Sequence, residues 1–433
     1  MKPSYVVRWL IERGLPRFVL AWHARKRDPF AELINGEAGL ADPYPIIEAL
    51  RGDGGLVRTP LTYTTFSHRN VRAILRDNRF GVQPPMPQDV PKPLRVLHDR
   101  IAVPVNPAER PSMLVVDPPL HTKLRRPVAS AFTPRAIERL RERVEVVTEE
   151  LLDAMPAEGS IELVSTFATR LPMIIISDML GFPHADRERF LAWGDRVTPL
   201  LDIAVPLRIY LSAMAASEDL NAYLADHIAK LREEPGEDIL SSLVVAGELD
   251  MHELQASASL LMGAGFETTV NLIGNAVVAL SANPDQRDLA IAEPDRWADV
   301  VEETLRFDPP VQTTARRVLT DLEIDGTHLA ADKTVVLSLA GANRDPLVFD
   351  DPHRFDITRP NAKDHVSFSS GIHACLGATL ARMEAEHALR ALYGRYPNLR
   401  LASEPKRRQL FTLRGYEHVP VELGPARRTA PAV

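Results

Sequence analysis

The chain has 433 residues, of which 45% are hydrophobic and 25% charged, and its formal net charge is −7. A chain of this length can bury a large core, and its mild acidity argues against nucleic-acid binding, which needs a concentrated basic face. A single cysteine excludes an intrachain disulfide and a cysteine-rich zinc site. We therefore expect no nucleic-acid partner and a cytoplasmic location.

The N-terminal segment over residues 6–22 is partly apolar, but charged residues interrupt it and Pro16 breaks it. It is too short and too charged to span a bilayer, and no small-residue cleavage site follows an apolar core. A helix that caps the fold is favoured over a peripheral amphipathic contact with a membrane. We therefore predict a capping extension over residues 1–40 and no transmembrane segment.

The region 84–111 is dense in proline, which rules out long regular structure. A long irregular segment inside a compact enzyme is usually a lid or a disordered linker, and interspersed apolar residues favour a lid. The prolines are Pro84, Pro85, Pro87, Pro91, Pro93, Pro104, Pro107 and Pro111.

The longest apolar element begins at Asp250 and ends near Pro284. Asp250 followed by Glu253 is typical of a capping box, and a helix of this length would run for roughly 50 Å. Because it is apolar nearly all round, we expect it to be buried. Polar residues in its middle, such as Glu267, argue against a membrane span.

Within this helix, residues 264–269 read AGFETT. Small residues, together with a hydroxyl that can bond to a backbone carbonyl, could distort the helix and leave space for a ligand. Equally, the glycine could permit close helix packing and the threonine could only bond back to its own helix. The residues alone leave both readings open.

The only cysteine, Cys375, lies in the segment 368–377, which reads FSSGIHACLG. Glycines flank it and strong helix formers follow, so it lies on a loop that leads into a helix N-terminus. That position favours a thiolate. Buried thiol and nucleophile remain alternatives, but the pattern favours a single thiolate ligand to a metal. A flat apolar macrocycle could lie against Phe368, with His373 near a carboxylate at its rim.

These residues resemble the soluble bacterial members of the haem-thiolate cytochrome P450 family. The cysteine loop of that family reads F-x-x-G-x-[H/R]-x-C-x-G, and its matches here are Phe368, Gly371, His373, Cys375 and Gly377. Ser369 stands where many members have glycine. The segment 264–269 is similar to the family's A-G-x-[D/E]-T stretch, and the resemblance extends over about residues 40–423.

The resemblance implies a mainly α fold with a small β region, which we expect to form a single domain over residues 1–433. Region 84–111 would roof the substrate pocket. The implied cofactor is haem b (iron protoporphyrin IX), with Cys375 as the iron ligand. Glu267 and Thr268 would deliver protons during dioxygen activation, and Ala264 and Gly265 would leave room for dioxygen and substrate.

His121 and Arg125 share a helix face and could hold a carboxylate; by resemblance they bind the haem propionates. Arg317 is expected to do the same from a strand, with Arg316 as the alternative, because strand neighbours face opposite ways. The family's E-x-x-R motif matches residues 303–306. Arg354 is the candidate third member of that structural brace.

The implied reaction inserts one oxygen atom from O2 into a hydrophobic small molecule such as a lipid, terpenoid, steroid or polyketide. No flavin domain is fused, so we expect electrons from a separate ferredoxin and ferredoxin reductase. Their docking face would lie near Cys375, with Arg126 and Arg382 as candidate contacts. We expect a monomer.

Two other functions compete with this one. A non-enzymatic haem-binding sensor or storage protein would have no need of the Glu267–Thr268 relay. A cysteine hydrolase would use Cys375 and His373, but these lie two apart on one loop, which is poor geometry for a nucleophile and its base.

Overall fold

The structure is a computed structural model that describes residues 2–52, 54–82, 92–202 and 205–427. Helices dominate it and the strands are short, as predicted. The α-helices are α1 (Pro3–Trp9), α2 (Leu15–Arg25), α3 (Pro29–Asn35), α4 (Glu37–Ala41), α5 (Tyr44–Arg51), α6 (His68–Arg76), α7 (Lys92–Arg100), α8 (Leu120–Ala129), α9 (Pro134–Glu138), α10 (Arg141–Asp153), α11 (Arg170–Met179), α12 (Arg187–Val197), α13 (Leu207–Glu233), α14 (Ile239–Ala246), α15 (Met251–Ala282), α16 (Pro284–Ala292), α17 (Trp297–Phe307), α18 (Leu339–Ala342) and α19 (Ala378–Arg395).

The strands form small sheets at the edge of the helical core. The largest sheet has the order β1-β2-β8-β5-β3, in which β2 and β8 run parallel and the other pairs are antiparallel. The strands are β1 (Val57–Arg58), β2 (Tyr63–Thr65), β3 (Phe80–Gly81), β4 (Ser160–Glu162), β5 (Thr313–Val318), β6 (Leu322–Ile324), β7 (Thr327–Leu329), β8 (Thr334–Ser338), β9 (Arg400–Leu401), β10 (Lys406–Arg407), β11 (Tyr416–His418) and β12 (Pro420–Glu422).

The central element is α15. Its predicted capping box is confirmed, because Asp250 Oδ1 accepts from Glu253 N–H and Glu253 Oε2 accepts from Asp250 N–H, each at 2.9 Å. Most of its side chains are buried, as its apolar sequence predicts. It packs against α11, α17 and α19. Since α19 follows Cys375 directly, this packing brings the middle of α15 opposite the cysteine loop.

The N-terminal extension is helical from Pro3 to Arg25, with a π-helical turn over Leu10–Gly14 between α1 and α2. The prediction that Pro16 breaks this segment is wrong. Pro16 lies in the first turn of α2, where a missing N–H leaves no extra carbonyl unpaired. No helix in the described part of the chain is long and apolar enough to cross a membrane.

The proline-dense region is seen only in part, because residues 83–91 lie outside the described residues. Residues 92–100 form α7, a nine-residue helix that the proline content did not predict. The helix is possible because Pro93 falls in its first turn and the next proline is Pro104. Residues 101–111 are irregular, as predicted.

Candidate active site

A cavity of about 490 Å³ lies between α15 and the cysteine loop, and its wall is mainly apolar. Segments far apart in sequence close it. Leu201 lines it, as do Thr412 and Leu413 from the connection between β10 and β11. The described residues 92–111 of the expected lid do not line the cavity. Residues 113–115, which follow this region, do line it.

The structure brings most of the predicted site residues into this one cavity wall. His121 lies just behind it, against His373, with ring centres 4.3 Å apart. Gly371, which belongs to the cysteine loop, and Arg317 are not part of the wall. The predicted residues in the wall are Arg125, Ala264, Gly265, Glu267, Thr268, Phe368, His373, Cys375 and Gly377.

The cysteine loop has a tightly held backbone. Cys375 N–H donates to Phe368 O at 2.9 Å, which closes the loop on itself. Gly371 has φ +72°, and a Cβ added there would lie 2.3 Å from Leu75 O. Only glycine therefore permits the loop to pass this close to α6. Ser369 also has positive φ, at 61°, which is unfavourable for a serine.

The Cys375 side chain is exposed, but it is exposed into the cavity and enclosed by protein on its other sides. This enclosure raises the pKa of the thiol, although the Gly377 N–H and the cations Arg125 and Arg382 act in the opposite direction. The expected thiolate is thus not favoured by the loop alone. Metal binding would supply the missing stabilisation, because a coordinated thiol loses its proton.

The opposite wall is formed by the AGFETT segment of α15. The helix continues through it without a break, and Thr268 Oγ1 donates to Ala264 O at 2.8 Å. A Cβ added at Gly265 would meet Ile176 Cδ1 at 3.6 Å, which is an ordinary contact. The glycine is therefore not required for close helix packing, and the small side chains leave open space above the cysteine.

Glu267 is a fully buried carboxyl group in this wall. Burial raises its pKa to about 7, while Arg408 acts to lower it. Arg408 Nε lies 3.1 Å from Glu267 Oε1, out of line for a hydrogen bond, and Arg408 also contacts Asp195 Oδ1 at 3.2 Å. Since the Asp195 side chain is exposed, these three groups connect the cavity to the surface. Sequence reasoning missed Arg408 and Asp195, because neither lies near Glu267 in the chain.

Glu384 is a second buried carboxyl group that the sequence analysis missed. It lies on α19, lines the cavity and faces the hydroxyl of Thr269. Burial raises its pKa to about 8, so it is neutral at pH 7. An acid nine residues after Cys375, on the buried face of the following helix, was the available signal.

A cluster of basic side chains lies beside the cysteine loop. It comprises His121, Arg125, Arg316 and His373, and His121 Nε2 and His373 Nε2 are buried with no hydrogen-bond partner. Burial, and after it the positive neighbours, lower the pKa of His373 to about 3. Within the described part of the chain, no carboxylate pairs with any of the four, which leaves the cluster suited to an anionic ligand.

The geometry favours Arg316, the stated alternative, over Arg317 for this cluster. Arg316 is buried and lines the cavity, whereas Arg317 faces the other side of β5, with Nη1 3.6 Å from Asp332 Oδ1. Adjacent residues of a strand point to opposite faces, so only one can reach the cavity. Arg316 therefore takes the place expected of Arg317.

The Glu303–Arg306 brace is fully buried, with Arg306 Nε 2.7 Å from Glu303 Oε2. Its third cation is not Arg354, whose backbone carbonyl accepts from Arg306. Arg359 occupies that place, with Nε 3.4 Å from the Glu303 carboxylate.

The two cations proposed for partner docking differ in their surroundings. Arg382 Nε lies 2.5 Å from Glu302 Oε1, and its guanidinium stacks 4.5 Å from the centre of the Phe368 ring. It therefore supports the cysteine loop from the outside. Arg126 pairs with Glu248 at 2.7 Å, but its side chain is largely exposed. It therefore remains available to a partner at the surface.

Taken together, these features decide whether the site could hold a haem. The described residues contain no cluster of three or more His, Cys, Asp or Glu side chains that could hold a metal, so Cys375 would be the single protein ligand. The apolar cavity suits a flat macrocycle, and the unpaired basic cluster suits its carboxylates. The residues present fit a thiolate-ligated haem.

Comparison with known proteins identifies the family. The cytochrome P450 family model matches residues 297–397. The putative cytochrome P450 140 of Mycobacterium tuberculosis is 41% identical over 430 residues, covering 97% of this chain and 98% of that protein. The 6-deoxyerythronolide B hydroxylase of Saccharopolyspora erythraea is 40% identical over 315 residues, which is 71% of this chain and 76% of that protein.

Comparison with solved structures supports the same family assignment. P450BioI, crystallised with an acyl carrier protein ligated to hexadec-9Z-enoic acid, superposes with a TM-score of 0.82 at 33% identity, covering 89% of this chain and 99% of that one. The mainly helical fold with small sheets and a cysteine facing a long helix is that of a haem-thiolate oxygenase. The chain belongs to the cytochrome P450 family and is a monooxygenase of small molecules. A haem-thiolate cofactor is implied by that membership.

Proposed function

We propose that the protein inserts one oxygen atom from O2 into a hydrophobic small molecule. The observation that carries this proposal is the apolar cavity with Cys375 on one wall and the Glu267–Thr268 pair on the other. A relative named 6-deoxyerythronolide B hydroxylase supports an apolar substrate without selecting one, as does the P450BioI structure with its hexadec-9Z-enoic acid ligated to an acyl carrier protein. Lipids, terpenoids, steroids and polyketides remain the candidate classes.

Haem b would be held by Cys375, with its carboxylates on His121, Arg125, Arg316 and His373. When bound, it supplies the iron chemistry that activates dioxygen. Ala264 and Gly265 keep space free on the distal side. Phe368 and the loop beneath it exclude water from the sulfur.

Glu267 and Thr268 would hold and move protons. Because the pKa of Glu267 is about 7, this carboxyl can both gain and lose a proton near neutral pH. Arg408 and Asp195 would connect it to solvent. The Thr268 hydroxyl donates its hydrogen to Ala264 O. Its oxygen is therefore free to accept a hydrogen bond from a donor in the cavity.

Electrons would come from a separate ferredoxin and its reductase. Arg125 donates to Ala374 O of the cysteine loop, and the next residue, Arg126, presents an exposed cation on that side of the molecule. Because Arg382 is engaged with Glu302, we assign it to loop support rather than to docking.

The experiment that tests the proposal is the spectrum of the reduced protein under carbon monoxide. The wild type should show the strongly red-shifted Soret band of thiolate-ligated haem, and Cys375→Ala should lose it. Titration of the wild type with a panel of hydrophobic compounds should then displace water from the ferric iron and select the substrate class. A wild-type spectrum without the red shift, or an unchanged spectrum in the variant, contradicts the proposal.

A further inference from the structure

The outer face of the N-terminal helical segment is apolar. Among residues 10–24, all of which the structure describes, the exposed side chains are Leu10, Leu15, Phe18 and Trp22. Their exposed fractions are 49%, 50%, 71% and 47%. A surface helix normally turns its polar side outward, whereas the most exposed side chains of this segment are apolar.

The backbone places these four residues on one side. In α2, Leu15, Phe18 and Trp22 are spaced i, i+3 and i+7, so they share a face. Leu15 N–H donates to Leu10 O across the π-helical turn, which brings Leu10 into line with them. The result is one continuous apolar stripe rather than scattered exposed residues.

Basic residues border the stripe. Residues 1–27 hold seven Lys and Arg against one acid, Glu12, although the whole chain has a net charge of −7. Arg25, Lys26 and Arg27 are exposed at the end of α2. Lys26 Nζ lies 3.4 Å from the centre of the Trp22 ring, so cation and aromatic ring form one surface.

We propose that this stripe, with its basic border, docks the protein on the surface of an anionic lipid bilayer. Apolar residues would enter the boundary between headgroups and acyl chains, Trp22 would lie at headgroup depth, and the cations would contact lipid phosphates. A second copy of this chain fits less well, because the same face would bring like charges together. No described helix is long and apolar enough to span a membrane, so the contact is peripheral.

The inner face of the same segment contacts the roof of the cavity. Trp9 Nε1 donates to Val205 O at 2.8 Å, and Arg13 Nη2 donates to Leu200 O at 2.9 Å. Leu201, next to the second contact, lines the cavity. Docking therefore places the bilayer beside that roof. The proposal itself does not depend on the reaction that the cavity performs.

Flotation of the full-length, haem-loaded protein with lipid vesicles tests the proposal. Vesicles of phosphatidylcholine with roughly one third phosphatidylglycerol should retain about tenfold more protein than phosphatidylcholine alone, and high salt should reverse the difference. Equal retention on both kinds of vesicle, or none on either, overturns the proposal.

Variants distinguish vesicle binding through the stripe from nonspecific adsorption of the protein to lipid. The double variant Phe18→Ser and Trp22→Ser should lose about tenfold in vesicle binding. Leu347→Ser is the matched control, because Leu347 is 86% exposed elsewhere on the surface and its loss should change nothing. If both variants bind vesicles like the wild type, the proposal fails. It also fails if the double variant binds lipid normally but is a monomer in sedimentation velocity where the wild type is a dimer, because the stripe then serves another partner.

A second measurement does not depend on the fold of the double variant. Lipids carrying a quencher at headgroup depth should quench part of the tryptophan fluorescence of the wild type. Trp22→Phe, which keeps the apolar stripe, should bind the same vesicles and lose that quenching. Unchanged quenching in Trp22→Phe would place another tryptophan at the bilayer and contradict the docking geometry.

Discussion

Two buried carboxyl groups, Glu267 on α15 and Glu384 on α19, line the cavity from helices that pack against each other. Burial raises the pKa of Glu267 to about 7 and that of Glu384 to about 8, from an ordinary value of 4.5. The folded state therefore favours the protonated forms. The stability that this provides is complete below pH 4.5 and falls as the pH rises, until the loss is complete above pH 7 for Glu267 and above pH 8 for Glu384.

Replacing Glu267 with Gln should remove the first of these losses. Because Gln stays neutral, the variant should lose about 3 kcal/mol less than the wild type between pH 4.5 and a pH well above 7. Thermal unfolding of the two proteins across that range measures the difference. Glu384→Gln is the matched variant, which should keep the loss that is complete near pH 7 and remove the one that continues to pH 8. Parallel curves for Glu267→Gln and the wild type would show that Glu267 does not titrate as described.

Ser369 provides a test of backbone strain in the cysteine loop. Its φ of 61° lies in the left-handed region, and its hydroxyl is buried without a partner. The conformation costs a serine about 1–2 kcal/mol, whereas glycine adopts it freely. Part of the gain is offset by the greater freedom of glycine in the unfolded chain. Ser369→Gly should therefore raise the free energy of unfolding by about 0.5–1 kcal/mol in urea titrations.

The neighbouring residue is the control for this substitution. Ser370 has φ −155°, which is ordinary extended backbone. Ser370→Gly should lower the free energy of unfolding by about 0.5–1 kcal/mol, because it only adds freedom to the unfolded chain. If both variants shift the unfolding midpoint in the same direction, the left-handed conformation is not what costs stability at Ser369.

At the scale of elements, α17 is fixed to the loop over residues 352–359 by a buried charge cluster. Glu303 and Arg306 have no exposed side-chain surface, and Arg306 also donates to the carbonyls of Asn343, Pro352 and Arg354. Removing the acid leaves a buried cation unpaired. Glu303→Gln should therefore lower the free energy of unfolding by about 3–5 kcal/mol.

A pair with the same spacing and chemistry lies just upstream. Glu293 and Arg296 are also three residues apart and 2.6 Å from each other, but both side chains are partly exposed. Glu293→Gln should cost between about 0 and 1 kcal/mol. Chemical denaturation of both variants measures the contrast. Similar losses would mean that burial does not set the strength of the Glu303–Arg306 pair.

The same elements show what a sequence can and cannot predict. The start of α15 was predictable, because Asp250 and Glu253 cap it through contacts three residues apart. The cysteine loop was predictable as a pattern, since glycines and a helix start are local features. Arg316 and Arg317 could not be separated, because the face that a strand buries is decided by the sheet. Arg359, Arg408 and Glu384 were missed because their partners come from distant segments.

At the scale of the whole molecule, a buried charge cluster fixes the N-terminal segment to residues 98–109. Arg8 lies in a buried cluster where its guanidinium contacts Glu12, Glu109 and the carbonyl of Ile101. His98 Nε2 lies 2.5 Å from Glu12 Oε1. Residues 98–109 are thereby tied to α1. That residues 1–40 cap the fold and that residues 1–433 form one domain both stay predictions.

The charge state of this cluster depends on pH. Burial acts to lower the pKa of His98, but hydrogen bonds with Glu12 and Asp99 outweigh it and raise the pKa above its ordinary value of 6.5. Arg8 and Arg13, together with Glu109 and Tyr210, also surround Glu12. Since a raised histidine pKa stabilises the fold fully below 6.5, the cluster loses this contribution as the pH rises through the raised pKa.

Breaking the cluster should loosen residues 98–109 before it unfolds the molecule. Arg8→Gln leaves the carboxylates of Glu12 and Glu109 without their common cation, a local cost of several kcal/mol. Amide hydrogen exchange in residues 98–109 should therefore become at least about tenfold faster, while α15 keeps its protection. Lys2→Gln is the control, because Lys2 pairs with Glu218 at the surface from the same end of the chain and should leave exchange unchanged. Equal exchange in residues 98–109 for both variants would show that Arg8 does not fix this segment.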